Sequence, residues 1–326
     1  MKKDYSDASW LNENTWEKYG AEDERGKANE INEKSMLKAF SMVKTGKVYD
    51  LGTELFKGMN IWDGHCGYEI VGYASTYGRE RLKNTEGADE INWYKKGNWM
   101  DVEHNHPDYH MGCNTEMVVT PMHIGTHIDA LCHWTTGEDN HWYNGYNDAQ
   151  HGSCFGPTKC DVAKIPPLIM RGVLLDIAAY KGLEYLPGDY IITAKDCEAC
   201  AEKQNVELRA GDAVLLRTGE SWPKSRCKTA GLGISAARYL VEEGGAILLG
   251  DDMSCLDGQH ADGRTSVPGH PQPVHHYLLI QQGIHILEYV QLEELAKDKV
   301  YEFCFICAPA KARYATGMFL RPLAII

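Results

Sequence analysis

Two histidines and an aspartate lie close together in the middle of the chain, in the segment His123-Ile-Gly-Thr-His127-Ile-Asp129. In an extended backbone the side chains alternate with a period of two, so these three would project from one side. On a helix, Asp129 would point away from the two histidines. Two imidazoles and a carboxylate on one side form a ligand set for a divalent cation, so the spacing predicts a metal site.

Three further residues of this segment have predicted roles. We expect Gly125 to leave room for the ion and Thr126 to hold a ligand in its orientation by a local hydrogen bond. His133 follows at the next matching step and is the candidate general acid or base, because the pKa of a histidine lies near neutral pH. Two alternatives stay open, in which His133 binds a second metal or the histidines belong to a polar surface loop.

The elements that must position this segment alternate between strand and helix in the second half of the chain. Continuous apolar runs predict buried strands, and amphipathic stretches predict helices. The predicted strands span 117–120, 172–177, 213–218, 246–250, 284–287 and 300–308, and the predicted helices span 193–204, 235–243 and 274–282. Ser235 is the predicted N-cap of the second helix, and Gly283 is predicted to end the third. This alternation predicts an α/β fold.

The first half of the chain is more polar. Residues 1–46 carry a single helical stripe over 30–43, and we predict an N-terminal helical extension over 1–46 that packs onto a domain spanning 47–326. The first strand of that domain is predicted over 48–51. Residues 78–115 are rich in Gly, Asn, Asp, Glu and His and predict long irregular loops.

Charge and composition limit the partners. The 326 residues include 33 basic and 46 acidic side chains, for a net charge of −13. This charge repels nucleic acid backbones and anionic membranes, so we expect neither partner but a small-molecule substrate. We expect no secretory signal, because no apolar region follows the first residues, and no apolar stretch has transmembrane length. The 11 scattered cysteines, an odd number, favour a reducing cytoplasm over a disulfide framework.

The histidine segment also resembles a known family. The signature of the cyclase superfamily, which includes bacterial kynurenine formamidase, isatin hydrolase and a trans-dienelactone hydrolase, is similar to His123-x-Gly-Thr-His127-x-Asp129-x-x-x-His133. Leu131 stands where the family usually has proline, a change in the spacer that touches no ligand. Segments 48–51, 211–219 and 274–288 resemble the opening strand, the central strand and the late helix and strand of the family, so the resemblance covers about 47–326.

The resemblance implies a fold and a fuller metal site. The implied fold is a swivelling β/β/α-type single domain with a barrel-like mixed sheet and flanking helices. A histidine, His275 with His276 as the alternative, and Glu288 would complete the ligands, and Glu288 is expected among the catalytic residues as well. Glu288 lies in an apolar run, where a carboxylate is costly unless it is paired or metal-bound. The cofactor implied is one or two divalent ions, Zn²⁺ or Mn²⁺.

The activity implied is hydrolysis of an amide, a lactam or cyclic imide, or a lactone. Trp62 and Trp134 are the aromatic residues expected to stack on a planar substrate, while Trp142 and Tyr143 are further candidates. For each of them, packing in the core is the alternative. The resemblance also implies a homo-oligomer, most simply a homodimer.

Two other classes of function are open. His127-x-Asp129 with a later histidine also matches the two-histidine, one-carboxylate triad of non-haem iron oxygenases. That interpretation leaves His123 unexplained and expects an all-β barrel. The other class is a metal-binding protein without catalysis. The cysteine pairs 197/200 and 304/307 have zinc-ribbon spacing, but buried free cysteine behaves as a small apolar residue, so we interpret them as packing.

Overall fold

A computed structural model describes residues 3, 5–7, 9–59, 61–62, 64–74, 114–219, 230–260 and 262–326. The chain divides into two units. The first consists of Met1–Leu55, Met59–His65 and Met122–Ile326, and the second consists of Phe56–Gly58 and Cys66–Pro121. Of the loops predicted over 78–115, residues 78–113 lie outside the described residues. Among the described residues, no helix has the length and apolarity needed to cross a membrane.

Nine strands of the first unit form one mixed sheet. From one edge to the other they are β1 (Val48–Asp50), β13 (Leu323–Ile325), β11 (Glu302–Cys307), β5 (Leu168–Asp176), β7 (Ala213–Arg217), β9 (Leu248–Asp251), β10 (His285–Glu288), β4 (His127–Asp129) and β12 (Gly317–Phe319). The four strands β5, β7, β9 and β10 run parallel, and the flanking strands pair antiparallel. The predicted α/β body is therefore built on a parallel centre.

The described residues also form two smaller sheets. Within the first unit, β6 (Ile191–Ile192) and β8 (Gly231–Leu232) form a short parallel pair. The second unit contains an antiparallel hairpin of β2 (Glu69–Ala74) and β3 (Thr115–Val119). Burial explains the apolar runs of the central strands, since all residues of β7, β9 and β10 are buried. Continuous apolar sequence is typical of strands covered on both faces.

Seven α-helices lie among the described residues, and one of them continues as a π-helix. They are α1 (Glu33–Phe40), α2 (Asp148–His151), α3 (Ile177–Lys181), α4 (Ala194–Gln204), α5 (Ile234–Glu242), α6 (Pro273–His275), which runs on into the π-helix His276–Gln281, and α7 (Glu293–Lys297). Short 3₁₀ turns span Ser9–Asn12, Gly26–Glu30, Tyr143–Gly145 and Val162–Lys164. The helices predicted over 193–204 and 235–243 are confirmed within one residue at each end.

Two neighbouring helices begin in different ways. Thr193 caps α4 through a reciprocal capping box with Asp196. The prediction that Ser235 caps α5 is wrong, because the helix begins at Ile234 and Gly233 occupies the N-cap position. The hydroxyl of Ser235 instead lies 3.4 Å from the backbone nitrogen of Ala194 and accepts its hydrogen bond. Ser235 therefore links two helices.

The N-terminal residues pack against the helix that follows His275. Trp10 is fully buried. The indole nitrogen of Trp16 donates to the carbonyl of Ile280 at 2.7 Å, and the backbone nitrogen of Thr15 donates to the carbonyl of Gln281 at 2.9 Å. Carbonyl groups at the end of a helix have no partner within it, so the N-terminal segment satisfies groups that would otherwise be exposed. The domain boundary at residue 46 stays a prediction.

Candidate metal centre

The histidine segment is a turn followed by a strand. Residues 122–126 form a bend in which Gly125 has a φ of +52°, and only His127–Asp129 is a strand. The prediction of one extended segment over 123–129 is therefore wrong in its first half. The turn nevertheless returns His123 to Asp129, with Nδ1 of the ring 2.8 Å from Oδ1 of the carboxylate.

Gly125 has a different role from the predicted one. A Cβ atom at this position would lie 2.6 Å from Cδ2 of Leu55 and 3.3 Å from Cβ of Thr53. Its missing side chain therefore makes room for neighbouring side chains and not for an ion. The positive φ is a second reason for glycine, because L-residues rarely adopt this conformation.

Thr126 fastens the turn to the strand that carries Glu288. Its hydroxyl donates to the carbonyl of Tyr289 at 2.6 Å and accepts from the backbone nitrogen of Thr53 at 2.9 Å. Tyr289 has a φ of +55°, an uncommon conformation for a bulky residue. Thr126 thus contacts the backbone next to Glu288, and its orienting role stays a prediction.

Strand register brings the predicted ligands together. Glu288 of β10 pairs with His127 of β4, so their side chains lie on the same face of the sheet. Nε2 of His127 is 3.3 Å from Oε2 of Glu288 and 3.5 Å from Oδ1 of Asp129. Nε2 of His275 is 3.4 Å from Oε1 of Glu288 and 3.6 Å from Oδ2 of Asp129. Two imidazoles and two carboxylates therefore converge on one point.

A second layer of acceptors fixes the two imidazole rings. Nδ1 of His127 lies 2.8 Å from the carbonyl of Gly125, and Nδ1 of His275 lies 2.6 Å from Oδ2 of Asp257. Each Nδ1 therefore carries the proton and donates it outward, which leaves the lone pair of Nε2 for the centre. This is the arrangement that orients histidine ligands in metal sites.

The donor set fits a divalent cation. Oδ2 of Asp129 is buried and has no hydrogen-bond partner. Burial raises the pKa of Glu288, but its contacts with the imidazoles of His127 and His275 outweigh burial and lower the pKa to about 2. Burial opposes ionisation of Asp129 as well, yet the neighbouring histidines hold the pKa of its carboxyl well below the usual range. Two buried carboxylates that face each other require a compensating positive charge.

The structure distinguishes between the two candidate ligands His275 and His276. The ring of His276 lies against Trp10, with centroids 5.3 Å apart, and its Nδ1 is 2.9 Å from Nε2 of His270. It points into the packing between the N-terminal segment and the helix. The geometry supports His275 as the ligand.

His133 lies beside the first histidine of the segment. Its ring stacks on that of His123, with centroids 3.9 Å apart and an interplanar angle of 25°. Donor atoms of His123, Asp129 and His133 all lie within 4.8 Å of one another, so a second ion position is geometrically possible. Burial lowers the pKa of His133 to about 3, so its imidazole is neutral at neutral pH, and the near-neutral pKa on which its predicted acid–base role was based is not found.

A cavity of about 150 Å³ opens onto these residues. Trp62 and Trp134 both line it, and the Trp134 ring centroid is 5.5 Å from that of His275. Trp142 and Tyr143, in contrast, are fully buried in the core. The sequence did not point to five other residues that line the cavity, which are His65, Ser254, Cys255, Gln272 and Tyr289.

Solved structures share this fold. A crystal structure of a novel cyclase has a TM-score of 0.78 and 27% identity, covering 96% of this chain and 99% of that one. Isatin hydrolase A from Labrenzia aggregata, bound to benzyl benzoate, has a TM-score of 0.57 and 20% identity, with 85% and 93% covered. An isatin hydrolase bound to the product analogue thioisatinate has a TM-score of 0.56 and 20% identity, with 91% and 99% covered. The expected fold class, a mixed sheet with flanking helices, is confirmed.

The sequence comparison gives the same family. No curated protein matches the chain. The Cyclase family model, however, matches residues 49–258, which include the histidine segment and three of the four parallel strands, β5, β7 and β9. This match spans more than half of the chain and confirms the resemblance. The chain belongs to the Cyclase family.

Proposed function

We propose that this chain is a metal-dependent hydrolase that opens an amide, a lactam or cyclic imide, or a lactone bond in a small planar molecule. The observation that carries the proposal is the convergence of His127, Asp129, His275 and Glu288 around an unpartnered carboxylate oxygen, at the wall of a cavity. The isatin hydrolases among the structures of the same fold make a cyclic amide a natural first substrate to test.

These four residues, with His123 on the same carboxylate, would hold the ion. A divalent ion supplies Lewis-acid chemistry, which activates water and polarises a carbonyl group. Zinc and manganese are both proposed, since histidine and carboxylate ligands suit either. The sharing of Asp129 between two donor groups leaves room for one ion or two.

The chain itself can move the proton that hydrolysis requires. Water adds its oxygen to the acyl carbon, the bond from that carbon to nitrogen or oxygen breaks, and a proton passes to the leaving atom. The imidazole of His133 lines the cavity and is our candidate carrier of that proton. The rings of Trp62 and Trp134 offer flat apolar walls that would orient a planar substrate and exclude water around it.

The test is metal analysis combined with a hydrolysis screen. Purified protein is stripped with a chelator, reloaded with Zn²⁺ or Mn²⁺, and assayed with an N-formyl aromatic amine, a cyclic imide or lactam, and a lactone. We expect turnover of one class that disappears on stripping and returns on reloading. Asp129→Asn should lose both the ion and the activity. Asp139→Asn is the matched control, because Asp139 is exposed and its carboxylate contacts the ring of His141. Turnover that survives complete stripping would refute the proposal.

The iron oxygenase alternative is less well supported. It expects an all-β barrel, whereas the sheet has a parallel centre with helices around it. It also leaves His123 and Glu288 without a function. Full activity of the reloaded protein under anaerobic conditions, without a 2-oxo acid, would eliminate it. A metal-binding protein without catalysis would bind the ion and fail the entire screen.

Self-association stays a prediction from the resemblance. Light scattering coupled to size-exclusion chromatography would give the mass in solution. Twice the chain mass of 36.6 kDa supports the homodimer, and a single chain mass contradicts it.

A further inference from the structure

Gly317 lies directly against the ring of His123. It belongs to β12 and pairs with Asp129 of the neighbouring strand β4. A Cβ atom at Gly317 would be 2.3 Å from Cε1 of His123 and 2.7 Å from each ring nitrogen. These distances are far below van der Waals contact. The backbone of Gly317 does not have a positive φ, so the conformation does not require glycine here. The space taken by the imidazole of His123 is what requires glycine at this position.

The residue before it holds the same ring by a hydrogen bond. Oγ1 of Thr316 is 3.0 Å from Nε2 of His123, and the ring's other nitrogen, Nδ1, is 2.8 Å from Oδ1 of Asp129. The backbone fixes Thr316 as well, because its carbonyl accepts from the backbone nitrogen of Ala130 at 2.9 Å. Both nitrogens of His123 are thus constrained by rigid neighbours.

This orientation is the reverse of that of the other two histidines. His127 and His275 donate Nδ1–H outward and direct Nε2 to the centre. His123 directs Nδ1 towards Asp129 and places Nε2 against a hydroxyl. A hydroxyl can accept the proton of Nε2, and the lone pair of Nδ1 is then free for an ion.

We propose that Thr316 and Gly317 are positioning residues which set His123 so that it offers Nδ1, and not Nε2, to the metal. The inference rests on the proposed function, since it needs an ion at this centre. It adds to the site a pair of residues that lie beyond residues 49–258, the part of the chain matched by the family model. The edge strand β12 thereby takes part in metal binding.

The first test measures Zn²⁺ affinity by competition with a chromophoric chelator. Thr316→Val removes the hydroxyl at constant shape and should weaken binding about 10–100-fold, the usual effect of losing an outer partner of a histidine ligand. Thr316→Ser keeps the hydroxyl and should restore affinity. Gly317→Ala should weaken binding at least as much as Thr316→Val, because the added methyl group displaces the ring.

Gly172→Ala is the matched control for Gly317→Ala. Gly172 also lies within a strand of the same sheet, and a Cβ there would be 2.1 Å from the ring of Phe303. This change should lower the melting temperature through a clash in the core. The Zn²⁺ affinity of the folded fraction should stay as in the unchanged protein. Equal losses of affinity in Gly172→Ala and Gly317→Ala would reduce the effect to general destabilisation and overturn the inference.

The second test is spectroscopic. In Zn²⁺-loaded protein with ¹⁵N-labelled histidine, the ring resonances of His123 should show a proton on Nε2 and the ion on Nδ1, while His127 and His275 show the opposite. An ion on Nε2 of His123, or tight binding unaffected by Thr316→Val, overturns the inference and leaves the proposed function intact. Absence of any Zn²⁺ or Mn²⁺ binding overturns both.

Discussion

His275 and Asp257 form a buried hydrogen bond in which Nδ1 of the ring lies 2.6 Å from Oδ2 of the carboxylate. The same carboxylate accepts from the backbone nitrogens of Val274 and His275, at 2.7 and 3.0 Å. Asp257 therefore fixes both the start of the helix and the ring that it carries. It does so from the segment after β9, far from the histidine motif in sequence.

Asp257→Asn should weaken binding of the ion without removing a ligand. The amide keeps one oxygen for the backbone but loses the charge that makes the imidazole a stronger donor. We expect Zn²⁺ affinity to fall about 10–100-fold, measured by chelator competition. Asp262→Asn is the control, because Asp262 is exposed and its carboxylate pairs with Arg264. Unchanged affinity in Asp257→Asn would show that the hydrogen bond supports the fold alone.

His133→Ala should separate proton transfer from metal binding. If His133 carries the proton, the variant keeps its ion while kcat falls about 10²–10⁴-fold, the usual contribution of a positioned acid or base. Metal content by elemental analysis and kcat on the substrate found in the screen are the two measurements. A parallel loss of metal would instead assign His133 to a second ion position with His123 and Asp129.

Trp134→Leu should act mainly on substrate binding. An aromatic pair contributes about 0.5–1.5 kcal/mol beyond its buried area, which corresponds to roughly a 2–12-fold rise in KM for a planar substrate. An aliphatic lactone should be almost unaffected. Trp62→Leu should behave in the same way if both rings contact the substrate. Equal effects on planar and aliphatic substrates would mean that the rings only shape the cavity.

Acid should destabilise the protein through His285. Burial lowers its pKa to about 4, and its Nδ1 lies 2.9 Å from the carbonyl of Asp129. In the unfolded chain this histidine binds its proton near pH 6.5. The stability that the neutral, buried His285 supplies is therefore fully present above pH 6.5 and is lost as the pH falls towards 4. At pH 5 the loss is on the order of 2 kcal/mol.

The measurement is urea unfolding at pH 7 and pH 5 in the presence of a chelator, so that ion release does not contribute. His285→Asn retains a donor and does not titrate. Its free energy of unfolding should be lower than that of the unchanged protein at pH 7 but should fall less on acidification. Parallel pH dependences for the two proteins would assign the acid sensitivity to other groups.

The sequence was most informative where the chemistry is local. His127 and Asp129 are two residues apart on a strand, so spacing alone places them on one face. The central strands were predictable because burial on both faces demands a continuous apolar run. Helix α4 was predictable because Thr193 and Asp196, three residues apart, form a capping box at its start.

Long-range contacts account for what sequence reasoning missed. Gly125 is adjacent to the ligands in sequence, but the space it leaves is taken by Leu55, some 70 residues earlier. The support for His123 from Thr316 and Gly317 arises from strand pairing that no local pattern encodes. The choice between His275 and His276 depended on which side of one helix faces the sheet, and only tertiary packing decides that.

The bonds from Thr15 and Trp16 to the carbonyls of Gln281 and Ile280 have a thermodynamic consequence. These carbonyls end the helical segment that begins just before His275, so we expect detachment of residues 9–16 to loosen that ligand. By linkage, a cation that binds only the closed form must make detachment rarer. Protease cleavage near Trp16 should therefore slow as Zn²⁺ is titrated in, which makes the N-terminal segment a reporter of occupancy at a site that it does not touch.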